Sequence, residues 1–103
     1  MRPHPCTLLL AAGLVLGAGP SALAQDGQLG GLPAGRGQEE TYYACSACHS
    51  IHLVTQQRLP RRRWDHLLDW MVAEQGMAEL PAADRTLILD YLATHLNPDV
   101  PRS

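Results

Sequence analysis

The sequence predicts an all-α domain of about three main helices, and three observations support this fold class. Apolar residues recur three and four positions apart in two separate segments, which is the spacing of one helix face. Pro60 precedes the first of these segments and Gly76 follows it, and these residue types commonly begin and end a helix. No segment is rich in β-forming residues. The pattern therefore favours helices packed on helices.

The three predicted helices run over Gln38–Cys48, Arg61–Gln75 and Ala82–Leu96. Glu39 and Glu40 lie in the first turn of the first helix, where carboxylates complement the helix dipole. The second helix carries one apolar stripe, formed by Trp64, Leu67, Leu68, Met71 and Val72. The third helix carries a second apolar face, formed by Leu87, Ile88, Tyr91, Leu92 and Leu96. We expect both faces to be buried.

Residues 1–24 have the pattern of an export signal. The apolar run Leu8–Leu16 follows Arg2, and Ala22-Leu23-Ala24 is a site for cleavage before Gln25. The run is shorter than the ~20 residues that span a membrane, so we expect no stable membrane insertion. The segment predicts a periplasmic or secreted protein.

Removal of 24 of the 103 residues leaves 79, which is enough for one small domain over residues 38–97. Residues 25–37 contain five glycines and one proline, so we expect a flexible lead there. Residues 98–103 are expected to form a fraying tail. Seven arginines, ten acidic residues and no lysine remain, for a net charge of about −3. This composition is not that of a nucleic-acid-binding protein.

The most specific motif is Cys45-Ser46-Ala47-Cys48-His49, which is the Cys-x-x-Cys-His attachment site of a c-type haem. Thiols three positions apart can each form a thioether to the porphyrin. The imidazole of His49 then ligates the iron from one side. A ligating histidine normally donates its second N–H to a carbonyl, and we expect the acceptor in the segment 50–60, near Leu59-Pro60. The motif predicts one covalently attached haem c.

Two other chemistries could use the same residues. Cys45 and Cys48 could form a redox-active disulfide, although that chemistry belongs to a βαβ context. They could also bind zinc together with His49 or His52. A second pair of ligands at regular spacing is missing, although His66 and His95 remain available. Both alternatives are weaker than the haem interpretation.

The opposite side of the iron needs a second ligand, and methionine sulfur is the soft donor typical of electron carriers. Met71 lies on the apolar stripe of the second helix and Met77 follows Gly76 in a loop, so spacing alone leaves both open. Arg58 is a candidate partner for a haem propionate, because a guanidinium matches a carboxylate. The predicted haem pocket consists of Trp64, Leu67 and Leu68.

Residues 41–96 resemble the small monohaem cytochrome c family that includes the cytochrome subunits of bacterial sulfite dehydrogenases. The matching features are the Cys-x-x-Cys-His motif, Trp64 seven positions before Met71, then Gly76, and the run Asp90-Tyr91-Leu92-Ala93. The resemblance implies a class I cytochrome c-like fold wrapped round one haem. It also implies that Met71 is the iron ligand. The chain departs from the family at Met77, which therefore stays as the alternative.

The same resemblance implies an electron carrier rather than an enzyme. Its expected partners are a dehydrogenase as electron donor, such as a molybdenum sulfite dehydrogenase, and a cytochrome or oxidase as acceptor. The alternative is a haem-based sensor or ligand-binding module that lacks a stable methionine ligand.

Overall fold

A computed structural model describes residues 11–17 and 29–102. In those ranges the chain forms four α-helices and no strand, which confirms the all-α prediction there. The helices are α1 (Gln38–Cys45), α2 (His52–Thr55), α3 (Arg61–Glu74) and α4 (Ala82–His95). In the part of the chain that the structure covers, no helix has the length and apolar character needed to cross a bilayer.

The three main helices begin as predicted and end slightly earlier. α1 ends at Cys45 rather than Cys48, because the hydroxyl of Ser46 donates to the carbonyl of Tyr42 and closes the last turn. Serine competes in this way with continued helix. α4 ends at His95, where the side-chain amide of Asn97 donates to two carbonyls of the last turn. The sequence patterns did not predict the short helix α2.

Helix α4 is the centre of the packing. It packs against both α1 and α3, and these are the two extensive helix–helix interfaces within the described residues. The carbonyl of Leu96, just beyond α4, accepts hydrogen bonds from the indole Nε1 of Trp64 (3.0 Å) and from the backbone N–H of Leu59 (3.0 Å). The core is formed by Leu32, Ile51, Val54, Trp64, Leu68, Ile88, Leu89, Tyr91, Leu92 and Leu96.

The backbone of α1 approaches α4 closely at Gly37, the residue before the helix. Gly37 has φ +93°, and a Cβ there would lie 3.0 Å from the Cβ of Tyr91 and 3.1 Å from the carbonyl oxygen of Leu87. A larger residue would be strained in conformation and would push the helices apart. Glycine at this position lets α1 sit directly on α4.

The segment before α1 differs from the expected flexible lead. Residues 25–28 lie outside the described residues, but residues 29–37 pack on the domain. Leu32 is fully buried, and its carbonyl accepts a hydrogen bond from the side chain of Gln38 (2.9 Å). The hydroxyl of Tyr91 donates to the carbonyl of Pro33. The glycines in this segment therefore permit a tight path along α4 rather than free movement.

The C-terminal segment also differs from the expected fraying tail. Arg58 donates to the carbonyls of Val100 (2.9 Å) and Pro101 (3.0 Å), and Arg102 donates to the carbonyl of Gln56 (3.1 Å). These bonds tie residues 100–102 to the segment between α2 and α3. Side chains distant in sequence thus hold a tail whose own composition favours disorder.

The predicted export signal lies mostly outside the described residues. Its residues 11–17 are described and have no regular structure. Leu14, Val15 and Leu16 are 85–92% exposed, so this apolar run is not part of the core.

Substitution of Leu32 tests the packing of the segment 29–37. Leu32→Ala should lower the free energy of unfolding by about 2–5 kcal/mol, because it removes a fully buried side chain and leaves a cavity. Chemical denaturation of the protein measures the change. Leu53→Ala is the matched control: Leu53 is 51% exposed, and its loss should cost about 0.5 kcal/mol or less. Equal costs would show that residues 29–37 do not pack as described.

Candidate haem-attachment site

The Cys-x-x-Cys-His motif begins at the last residue of α1 and continues through a bend. Cys45 is half-buried and packs against the core, whereas Cys48 is exposed. Neither thiol is in a disulfide within the described residues. The motif therefore presents two free thiols at the domain surface, one of them anchored on the core.

Burial raises the pKa of the Cys45 thiol to about 11. Catalytic and redox-active cysteines need the opposite shift, because the thiolate is the reactive form. A zinc site would need further ligands. No group of three or more His, Cys, Asp or Glu side chains that could hold a metal ion occurs among residues 11–17 and 29–102. The raised pKa of Cys45 thus weakens the redox-disulfide alternative at this site.

His49 is half-buried, and its ring is oriented by a backbone carbonyl. Its Nδ1 lies 3.1 Å from the carbonyl oxygen of Ser50. A carbonyl can only accept a hydrogen bond, so the contact favours the tautomer in which Nδ1 donates and Nε2 is the nitrogen left for a metal. This carbonyl lies within the predicted segment 50–60, but at Ser50 rather than near Leu59-Pro60.

The two candidate sulfur ligands come from one turn at the end of α3. The backbone N–H of Met77 donates to the carbonyl of Met71 (3.0 Å), and Gly76 reverses the chain between them with φ +74°. Both side chains are half-buried, and Met77 packs against the core. The helix and the loop therefore bring both methionines to the same end of α3.

The three residues of the predicted haem pocket differ in the fraction of their surface that is exposed to solvent. Trp64 is 2% exposed and Leu68 5% exposed, and the indole N–H of Trp64 is already bonded to Leu96. Leu67 is half-buried and packs at the border of the core. Of the three residues, Leu67 keeps the most surface for contact with another group.

Arg58 does not fit its predicted role as a propionate partner. Besides its bonds to Val100 and Pro101, it donates through Nη1 to the carbonyls of Thr55 (2.8 Å) and Gln57 (2.7 Å). Four of the five N–H donors of a guanidinium are thus used by backbone carbonyls. Arg58 instead clamps the C-terminal segment to the segment after α2.

The described chain has two surface cavities, and one of them reaches Ala44, the residue directly before the motif. One, of about 150 Å³, lies between α3 and α4 and is lined in part by Leu68, Asp69 and Arg85. The other, of about 350 Å³, lies between α1 and α4 and is lined in part by Glu39, Glu40 and Asp84. Neither cavity is lined by a residue of the Cys-x-x-Cys-His motif.

Sequence patterns gave no role to Trp70, which is 49% exposed on α3. The sequence nevertheless indicates that Trp70 is exposed, because Trp70 lies on α3 but outside the apolar stripe that begins at Trp64. An aromatic residue off the buried face of a helix predicts an exposed contact surface.

No protein family, curated protein or solved structure matches the chain in sequence or structure comparison. The function therefore has to be inferred from the residues and geometry of the site itself.

The pKa of Cys45 predicts how the stability of the chain with free thiols depends on pH. Because its pKa is raised in the folded state, the neutral thiol favours folding at low pH. That contribution is lost as the pH rises from about 9 to about 11. The loss should be about 2 kcal/mol. Chemical denaturation across this range should show the decline, and Cys45→Ala should remove it.

The matched control is Cys48→Ala, which removes an exposed thiol from the same motif. The Cys48→Ala variant, like the unsubstituted protein, should still lose stability as the pH rises. If Cys45→Ala shows the same pH dependence as Cys48→Ala, the burial of Cys45 is not its cause.

Proposed function

We propose that this chain is an exported monohaem cytochrome c that carries single electrons from a dehydrogenase partner towards a respiratory chain. The observation that carries the proposal is the motif at the end of α1. It combines two free thiols with a histidine whose Nδ1 is held by a carbonyl, which leaves Nε2 for iron. Two cysteines and one histidine in this order have few other uses.

The residues fit a covalently bound haem by their chemistry. Cys45 and Cys48 would form the thioethers, and His49 would be one axial ligand. Met71 would be the other, as the resemblance to the small monohaem cytochromes implies. Bound there, the haem supplies a one-electron couple whose potential depends on its axial ligands.

The packing of the helices is also compatible with a flat, apolar group such as a porphyrin. Helices α1 and α3 each pack on α4 and share no extensive interface within the described residues. Cys45 from α1, and Leu67 and Met77 from α3 and the turn after it, are half-buried and all pack against the same core. Trp64 and Leu68 are buried members of that core. Covering such residues would add apolar burial to a domain of modest size.

The protein's own groups would tune and protect the iron rather than perform acid–base catalysis. The Ser50 carbonyl fixes the tautomer of His49 and its orientation. Methionine on the other side would close the iron to external ligands, which suits an electron carrier. We therefore propose an electron-transfer protein, not an enzyme in its own right.

The proposed location is the periplasm or the extracellular space, supported by the export-signal pattern of residues 1–24. The proposed donor is a dehydrogenase of the molybdenum sulfite dehydrogenase type, and the proposed acceptor is a cytochrome or oxidase. Both partners follow from the family resemblance of residues 41–96.

Covalent attachment is the first test of this function. The full chain is expressed in a bacterium that has a cytochrome c maturation system, and is then denatured and run on a gel. We expect haem to stay with the polypeptide, as detected by its peroxidase stain. A Cys45→Ala/Cys48→Ala variant should lose the stain entirely, whereas His52→Ala, on the neighbouring exposed turn, should keep it. A colourless chain with two alkylatable thiols would refute the proposal.

The second test identifies the sulfur ligand. Met71→Leu keeps the side-chain volume but cannot ligate iron, so the oxidised protein should lose its far-red sulfur-to-iron charge-transfer band and its potential should fall. Met77→Leu should keep both properties. The reverse result would assign the ligand to Met77. If the unsubstituted protein lacks the band and binds carbon monoxide tightly, the haem sensor is the better description.

A further inference from the structure

We propose that the outer face of α3, formed by Arg62, Arg63, His66 and Trp70, is the docking surface for an acidic patch on a partner protein. In this α3 outer face all four side chains are exposed. The proposal rests on the proposed function only in taking that partner to be an electron donor or acceptor.

The four residues share one side of the helix because of their spacing. His66 is four positions after Arg62, and Trp70 is four after His66 and seven after Arg63. Residues at these separations are neighbours on a helix surface. The buried residues Trp64 and Leu68 occupy the opposite side. The exposed indole therefore lies beside basic side chains rather than alone.

Arg62 and Arg63 have no ion-pair partner within the described residues. The two arginines at the interface between α3 and α4 differ from them in this respect. Arg61 pairs with Asp90 on α4 (2.7 Å), and Arg85 pairs with Asp65 and Asp69 on α3. Where α3 and α4 meet, arginines are thus matched with carboxylates. On the α3 outer face the positive charges are left for another molecule.

The position of these arginines disfavours a purely structural role. They lie in the first turn of α3, which contains no acidic residue. The N-terminal end of a helix carries a partial positive charge, so cations there reduce helix stability. An acidic surface would neutralise both the arginines and the helix end.

The overall charge of the chain favours an acidic protein surface over an anionic membrane or a nucleic acid. The chain has a net charge of −2 at pH 7, so an anionic membrane or a nucleic acid would be repelled outside this face. A protein patch of matching size meets the arginines without that repulsion. Trp70, 49% exposed beside them, supplies the aromatic anchor that is enriched at such interfaces.

The α3 outer face also adjoins the proposed haem site. Trp70 is next to Met71 in the chain and three positions after the half-buried Leu67. A partner seated on Trp70 would therefore lie against the part of α3 that holds the proposed iron ligand. This placement is what electron transfer between two proteins requires.

Binding of defined acidic polymers tests the proposal. Fluorescein-labelled poly-glutamate and a glutamate–tyrosine copolymer are titrated with the haem-loaded protein at low salt, and anisotropy is measured. We expect the copolymer to bind more tightly than the homopolymer, and both to weaken with salt. Arg63→Gln should weaken both by about threefold. Trp70→Ala should remove the preference for the copolymer.

Arg36→Gln is the matched control, since Arg36 is exposed on the segment before α1 and its loss changes the net charge equally. It should leave both affinities unchanged. An equal loss with Arg36→Gln and Arg63→Gln would overturn the proposal, as would tighter binding to phosphatidylglycerol vesicles or duplex DNA than to the copolymer.

The same samples separate this proposal from the proposed function. Binding that depends on Arg63 and Trp70 in a colourless protein would support the docking surface and refute the cytochrome. A haem-loaded protein that binds neither polymer would refute the docking surface alone.

Discussion

The buried hydrogen bond from the indole of Trp64 to the carbonyl of Leu96 is the interaction on which the rest of the structure depends. The same carbonyl accepts the N–H of Leu59, so one group beyond α4 holds both α3 and the segment before it. Both donors would be costly to leave unpaired in the interior. The bond therefore fixes how α3 lies on α4, and with it the positions of Met71 and Met77.

Helix α4 in turn positions the motif. Glycine at position 37 lets α1 approach α4, and Cys45 at the other end of α1 packs on the same core. The motif thus begins on a rigid element, while Cys48 and His49 lie in the bend that follows it. A rigid first thiol and an oriented imidazole are what a covalently held haem would need, because small errors in ligand position weaken metal binding.

Local signals explain what sequence patterns predicted well. The starts of α1, α3 and α4 and the buried members of the two apolar faces follow from residue type and spacing over a few positions. Composition indicated flexibility in residues 29–37 and 98–102, and both segments instead make long-range contacts. Leu32 is buried against elements distant in the chain, and Arg58 reaches Val100 across 42 positions. No short-range pattern contains such a contact.

The sequence by itself determined the helical class of the described residues and the presence of two thiols and a histidine at haem-attachment spacing. Helix periodicity and motif spacing are properties of neighbouring residues, so the chain alone contains them. Only the tertiary structure decided that Arg58 clamps the tail and that Trp70 is exposed beside two arginines without an ion-pair partner in the described residues. Hydrogen-bond partners and surface exposure depend on which elements meet, and packing around α4 sets that.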